Sequence, residues 1–263
     1  MAHELCHDPS FALGLKRVHP RYSCQREKHL TSCTRTLRRW CGLLLMAASP
    51  AFAGDPGYYV VTPYSQPGLT ALDLRYWTVK FPQSTATLWP EIGLRYGVNS
   101  RWTTEVYASF EGEGTHQYLN GWDWQNEVLL TQGQYPFDVG LHLQAVHSPG
   151  DGNSWQWGPV LQTELGHTQL NFNLIFEHDV SSSSTQLKYQ WQALHRLAPG
   201  WRLGLEGFGE LGNWDQWSHR QSHRAGPALR LGLGEVEVQA AYLWGKVYGG
   251  KADMFTANLV WGF

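Results

Sequence analysis

The sequence predicts an all-β chain, a closed antiparallel up-and-down transmembrane β-barrel of about 12 strands, on three observations. Segments of roughly 10 to 13 residues alternate apolar with polar side chains from Thr70 onward, which suits strands tilted across a bilayer. Turn residues separate these segments. The last of them closes on an aromatic residue, Phe263.

The N-terminal part reads as a secretory leader. Gly42 to Ala53 is the one compact apolar run; Arg35, Arg38 and Arg39 precede it, and Ala51 and Ala53 flank Phe52 before Gly54. A basic start, a short apolar centre and small residues at the cut are what a leader requires. Pro50 and Gly54 close the run too early for a buried helix, and Cys41 precedes the run, which excludes a lipoprotein. Residues 1–34 are polar and longer than a leader needs, which suggests an alternative start at Val18, Leu30 or Leu37.

Cys6, Cys24, Cys33 and Cys41 all precede the cut, so the mature chain would carry no disulfide and no thiolate metal site. Residues 1–53 hold 8 of the 20 Lys and Arg and 3 of the 22 Asp and Glu, leaving 12 against 19 and a net charge of −7. Nucleic-acid binding needs a basic patch, and this chain is acidic. No stretch is long and apolar enough for a membrane-spanning helix.

Residues 54–69 are rich in Pro, Gly and Tyr without a sustained period, and read as a periplasmic lead-in or a plug in the barrel mouth. The barrel then occupies residues 70–263. Its segments begin at Thr70, Leu88, Arg101, Gly121, Tyr135, Ser154, His167, Ser184, Trp201, Arg224, Val236 and Asp253. Short links such as Val98-Asn99-Ser100, Gly133-Gln134 and Gly234-Glu235 alternate with longer ones, among them residues 111–120, 212–223 and 246–252. Short periplasmic turns and long outer loops are the outer-membrane arrangement.

Charge keeps one register, because a Lys or Arg facing lipid at mid-membrane costs about 2–4 kcal/mol. In the seventh segment Leu170, Phe172, Leu174 and Phe176 share a face, opposite Asn171, Asn173 and Glu177. The same division turns Asp73, Arg75, Glu91, Arg95, Glu105, Glu127, Asp138, His142, Glu164, Glu177, Lys188, Arg202, Glu206, Arg230 and Glu237 to the lumen. Asp73 with Arg75, Glu91 with Arg95, and Lys188 or Arg202 with Glu206 are the expected pairs. A soluble sandwich would also alternate, with its faces reversed.

The leader, the aromatic residues and the C-terminus favour the barrel. Trp89, Trp122, Trp124, Trp155 and Trp157 fall near outer strand ends and Trp102, Trp201 and Trp261 near inner ends, as two interfacial girdles require. Phe255, Leu259, Trp261 and Phe263 alternate along the last segment and resemble the C-terminal signal read by the barrel-assembly machinery. Pro90, Pro159 and Pro227 interrupt segments and are expected at strand ends or bulges. Asn126 falls on the lipid register.

The stretch Pro90-Glu91-Ile92-Gly93-Leu94-Arg95-Tyr96-Gly97-Val98-Asn99-Ser100-Arg101-Trp102-Thr103-Thr104-Glu105 reads strand, tight turn, strand. It is similar to hairpins of the outer-membrane proteins grouped by a link to the meta-cleavage pathway of phenol degradation. That resemblance implies a channel or transporter-like barrel connected with small aromatic compounds, and brings no catalytic signature with it.

Three functional readings follow. The first is a passive channel or transporter for small molecules, with the resemblance implying aromatic or hydrophobic ones; the second is a non-conducting structural or interaction barrel with a salt-bridged lumen. The third is an outer-membrane lipid hydrolase, for which the adjacent His147 and Ser148 are the available pair. Neighbouring strand residues point to opposite faces, so this pair needs a bulge to meet, and the expectation is no enzyme. In the longest loop Trp214, Trp217, His219 and His223 are ligand candidates; an exposed loop resting on lipid headgroups accounts for them as well. No cofactor and no metal are expected. The expected setting is the Gram-negative outer membrane, with lipid, the assembly machinery and a small solute as partners and a monomer as the working state.

Overall fold

The computed structural model describes residues 58–150, 152–216 and 221–263. The leader, its cysteines, residues 54–57, Trp217 and His219 lie outside the described residues. Twelve strands follow one another: β1 (Thr70–Lys80), β2 (Thr87–Asn99), β3 (Trp102–Glu113), β4 (His116–Leu129), β5 (Asp138–Ser148), β6 (Gly152–Leu165), β7 (Thr168–Asp179), β8 (Ser184–Ala198), β9 (Trp201–Asn213), β10 (Ser222–Leu233), β11 (Val236–Val247) and β12 (Gly250–Gly262). Each pairs antiparallel with its neighbours in sequence, and β12 returns to β1, closing the barrel.

The closing seam runs from Ala71 opposite Gly262 to Lys80 opposite Asp253. The Phe263 amide extends it by donating to the Thr70 carbonyl at 2.9 Å. Closure removes the free hydrophobic edge that the last segment would otherwise present. It also puts the start of β1 and the end of β12 on one rim, the periplasmic one in an outer-membrane barrel.

The period of two sorts side chains as the sequence predicts. Phe172 is exposed on the outer wall, while Gln169, Asn171 and Asn173 are buried inside. Trp102, Trp122, Trp124, Trp155, Trp157, Trp201 and Trp261 are all exposed outside. Asn126 on this wall is not left unpaired: its Oδ1 accepts from Trp102 Nε1 at 3.0 Å. Two residues further along the same strand pair, Trp124 Nε1 donates to Thr104 Oγ1 at 2.9 Å.

Trp89 departs from the expected girdle. It lies opposite Trp77 across β1 and β2, and both indoles turn inward, Trp77 fully buried and Trp89 packed against the same cluster. The outer half of the lumen is therefore not purely polar. Trp77, Val79, Phe208, Leu243 and Met254 fill it, with Tyr58 from the lead-in.

Connection lengths also differ from the expected alternation. The span 111–120, read as a loop from its polarity, continues β3 and β4 as a hairpin that turns only at Gly114 and Thr115, where Gly114 has φ +59°. The link between β11 and β12 is likewise Tyr248 and Gly249. Conversely, β4 and β5 are joined by residues 130–137 on the periplasmic side. Polarity marks strand that projects beyond the bilayer as readily as it marks loop.

The prolines are in the strands, two of them mid-strand rather than at ends. Pro90 keeps its place opposite Tyr76, Pro159 opposite Leu141 and Pro227 opposite Leu205. On the other side of each, the pairing lapses for two residues: at Trp89 and Pro90 toward β3, at Gly158 and Pro159 toward β7, and at Gly226 and Pro227 toward β11. A residue without an N–H cannot donate to a ladder, so it faces one neighbour only.

Candidate functional site

The lumen is the site, and the lead-in segment runs up it from the periplasmic rim. Residues 66–69 are zipped to the inner end of β2: Gly68 N donates to the Gly97 carbonyl at 2.7 Å and Gly97 N to the Leu69 carbonyl at 2.9 Å. A Cβ on Gly97 would lie 1.9 Å from the Gln66 carbonyl oxygen, so only glycine admits this approach. Ser65 Oγ donates to the Asn99 carbonyl at 2.7 Å.

Higher up, Tyr64 donates to Asp138 Oδ2 at 2.6 Å. Burial first, and this carboxylate second, push the Tyr64 phenol above its usual pKa. Val61 is held through both backbone groups: its N–H donates to Gln190 Oε1 at 3.2 Å, and its carbonyl accepts from Asn173 Nδ2 at 2.9 Å. These are the bonds an added strand would make, supplied here by side chains.

The first two described residues of the segment are tyrosines, each on a guanidinium. The Tyr59 ring lies 3.5 Å from the Arg75 guanidinium carbon, and its hydroxyl donates to Gln125 Oε1 at 2.7 Å. The Tyr107 ring also lies against Arg75, at 3.9 Å. Tyr58 donates to Glu210 and accepts from Arg224 Nη1 at 3.0 Å, with the Arg224 guanidinium carbon 4.3 Å above its ring. The same ring packs edge-on against Trp77 and Phe208 at 6.3 and 5.8 Å.

Around these anchors the wall charges are paired. Arg75 meets Glu105 at 2.9 Å and Asp73 at 3.6 Å, and Arg95 meets Glu105 at 2.6 Å and Asp73 at 3.4 Å. Glu91 lies 3.9 Å from Arg75 rather than against Arg95, its expected partner. Asp73 also accepts from Tyr107 at 2.8 Å and Asn258 at 2.6 Å. His142 Nδ1 contacts Glu127 at 2.6 Å.

Two expected pairs are not formed. Lys188 pairs with Glu177 and Arg202 with Glu164, while Glu206 accepts from Gln192, Gln239 and Thr256 at 2.8, 2.9 and 3.2 Å. Strand stagger explains the difference: the tilt carries partners in space away from partners in sequence order. Arg230 pairs with Glu237 at 2.7 Å, and Asp138 accepts from the Gly133 amide at 2.7 Å as well as from Tyr64.

Arg224 and Glu210 form a lumen pair that the sequence reading left out, with Arg224 placed as the first residue of its strand. β10 begins at Ser222, which turns Arg224 inward to Glu210 at 2.9 Å. Counting back in steps of two from Arg230 along an extended strand is the signal that would have found it. His223 is accordingly a strand residue facing out, hydrogen-bonded to Tyr189 at 2.8 Å, not a loop ligand. Trp214 is an exposed loop residue, held through its backbone amide to the Thr185 carbonyl at 3.0 Å.

His147 and Ser148 face opposite ways. The His147 ring lies outside against Trp122 at 5.8 Å, and Ser148 Oγ is directed to the Asn120 carbonyl at 3.1 Å. Phe255, Trp261 and Phe263 line the outer wall of β12 and are exposed there.

The open space that remains is unevenly placed. A cavity of about 830 Å³ lies at the periplasmic mouth between Thr62 and Tyr64 of the lead-in and the ends of β6 to β11. Three voids higher in the lumen measure about 50, 20 and 10 Å³. The smallest is near the limit for a single water molecule.

No protein-family model matches the sequence, and no curated protein does. Solved structures share the architecture. The NanC porin superposes with a TM-score of 0.55 at 8% identity, covering 72% of this chain and 98% of that chain. An outer-membrane channel from Pseudomonas putida F1 superposes with a TM-score of 0.54 at 13% identity, covering 80% of this chain and 100% of that chain. What this chain shares with these outer-membrane proteins is the fold, a closed antiparallel β-barrel.

Proposed function

We propose that the barrel is a small-solute channel whose lumen is closed at rest by its own lead-in segment. The observation that carries this reading is the course of residues 58–66 up the lumen, where the voids lined by Tyr58 to Thr62 measure about 50 and 10 Å³. The segment is held by side chains and by the rim of β2 rather than as a strand of the sheet, so it can leave while the ladder stays intact.

The solutes that suit the opened lumen are small aromatic or hydrophobic molecules. Support comes from the apolar chamber of Trp77, Phe208, Leu243 and Met254, in which the Tyr58 ring is already seated. The barrel works as a monomer, without catalysis or cofactor, surrounded by outer-membrane lipid after insertion by the assembly machinery.

The second reading, a non-conducting structural barrel, draws on the ion pairs of Arg75 and Arg95, which cross-link β1, β2 and β3 inside the wall. Planar-bilayer recording separates the two. Wild type should open rarely and a variant lacking residues 58–66 should conduct steadily. Flat traces from both, with the barrels shown folded by heat-modifiable gel mobility, would leave the structural reading in place.

A further inference from the structure

We infer that the periplasmic cavity is a binding site for a small organic carboxylate. It is bounded by three guanidinium groups, those of Arg196, Arg202 and Arg230. Their volume partner is adequate: about 830 Å³ falls within the usual range of small-molecule sites, about 300–1,000 Å³.

The charges there are incompletely matched. Arg196 and Arg202 both donate to the same oxygen, Glu164 Oε1, at 2.7 and 3.1 Å. One carboxylate thus serves two guanidiniums through one atom, where each could hold a carboxylate through two. Arg202 Nη1 is shielded from solvent and has no hydrogen-bond partner among the described residues. Arg230 pairs with Glu237 at 2.7 Å, so Arg196 and Arg202 are left to share the single Glu164 carboxylate.

A carboxylate on an incoming solute offers what Glu164 does not, a second acceptor for Arg202 and a balancing charge. The site differs in kind from the apolar chamber at the outer end, and its occupancy does not depend on whether the lumen conducts. The lead-in forms one wall through Thr62 and Tyr64, so a bound solute would rest against the segment that closes the lumen.

The test is calorimetric titration of the refolded full barrel in detergent with sodium succinate, with inorganic phosphate and tetramethylammonium chloride as parallel arms. Succinate should bind saturably, and Arg202→Gln should weaken it about tenfold, the effect of one charge-assisted hydrogen bond. Glu164→Gln should tighten binding severalfold, a gain that a misfolded barrel cannot produce. Absence of saturable succinate binding, succinate binding unchanged in Arg202→Gln, or binding of phosphate alone would each overturn the assignment.

Discussion

The ring of Tyr59 and the guanidinium of Arg75 lie face to face at 3.5 Å, so the lead-in segment and the barrel wall share one cation. Arg75 in turn neutralises Glu105 and Asp73. Plug and wall are therefore coupled energetically, but not equally.

Replacing Tyr59 by Ala removes a desolvated cation–π contact, about 2 kcal/mol, and leaves the ion pairs intact. Replacing Arg75 by Ala leaves the buried Asp73 and Glu105 to share Arg95 alone and should cost about 3–5 kcal/mol. Urea unfolding of the two variants in lipid vesicles should rank Arg75→Ala well below Tyr59→Ala; equal losses would disprove the division.

The double variant Tyr58→Ala, Tyr59→Ala should loosen the segment without changing the sheet. Added protease should then cut within residues 58–66, and single-channel openings should become more frequent. The gel mobility of the folded form should not change. Protection equal to wild type would show that residues 61–68 hold the segment unaided.

Gly93 faces Tyr107 across β2 and β3, and a Cβ there would come within 2.2 Å of the Tyr107 ring. Gly93→Ala should push that ring away from Asp73 and Glu105 and from Arg75. A loss of about 1–3 kcal/mol, typical of overpacking, is expected in vesicle unfolding. Tyr107→Ala should largely remove the difference between Gly and Ala at position 93.

On the outer wall, Asn126→Ala should cost about 1 kcal/mol by leaving Trp102 Nε1 without its acceptor. Asn126→Leu should recover much of this, since an apolar side chain is favourable toward lipid. A loss in Asn126→Leu as large as in Asn126→Ala would show that the hydrogen bond outweighs the lipid contact.

The fold was legible where local alternation decides it. Phe172 and Asn173 fall on opposite faces because a strand has a period of two, and no distant contact can alter that. The content of the lumen was less so. Trp89 and Trp77 obey the alternation but sit inside, since alternation separates faces without saying that each face is uniform. For the lead-in the sequence left two readings open, lead-in or plug, and did not mark its partners: Tyr58 meets Glu210 and Arg224 across most of the chain, and nothing in its own neighbourhood points to them. Arg224 itself was lost to a strand boundary misplaced by two residues.

The three prolines fall at intervals of four strands around a wall of twelve, at β2 toward β3, β6 toward β7 and β10 toward β11. Each such seam lacks consecutive rungs, whereas the join between first and last strands is complete. The wall is thus interrupted along three lines set a third of a turn apart, in addition to the register shifts between β2 and β3, β3 and β4, and β8 and β9, while the closure that defines the barrel keeps every rung from Ala71 to Lys80.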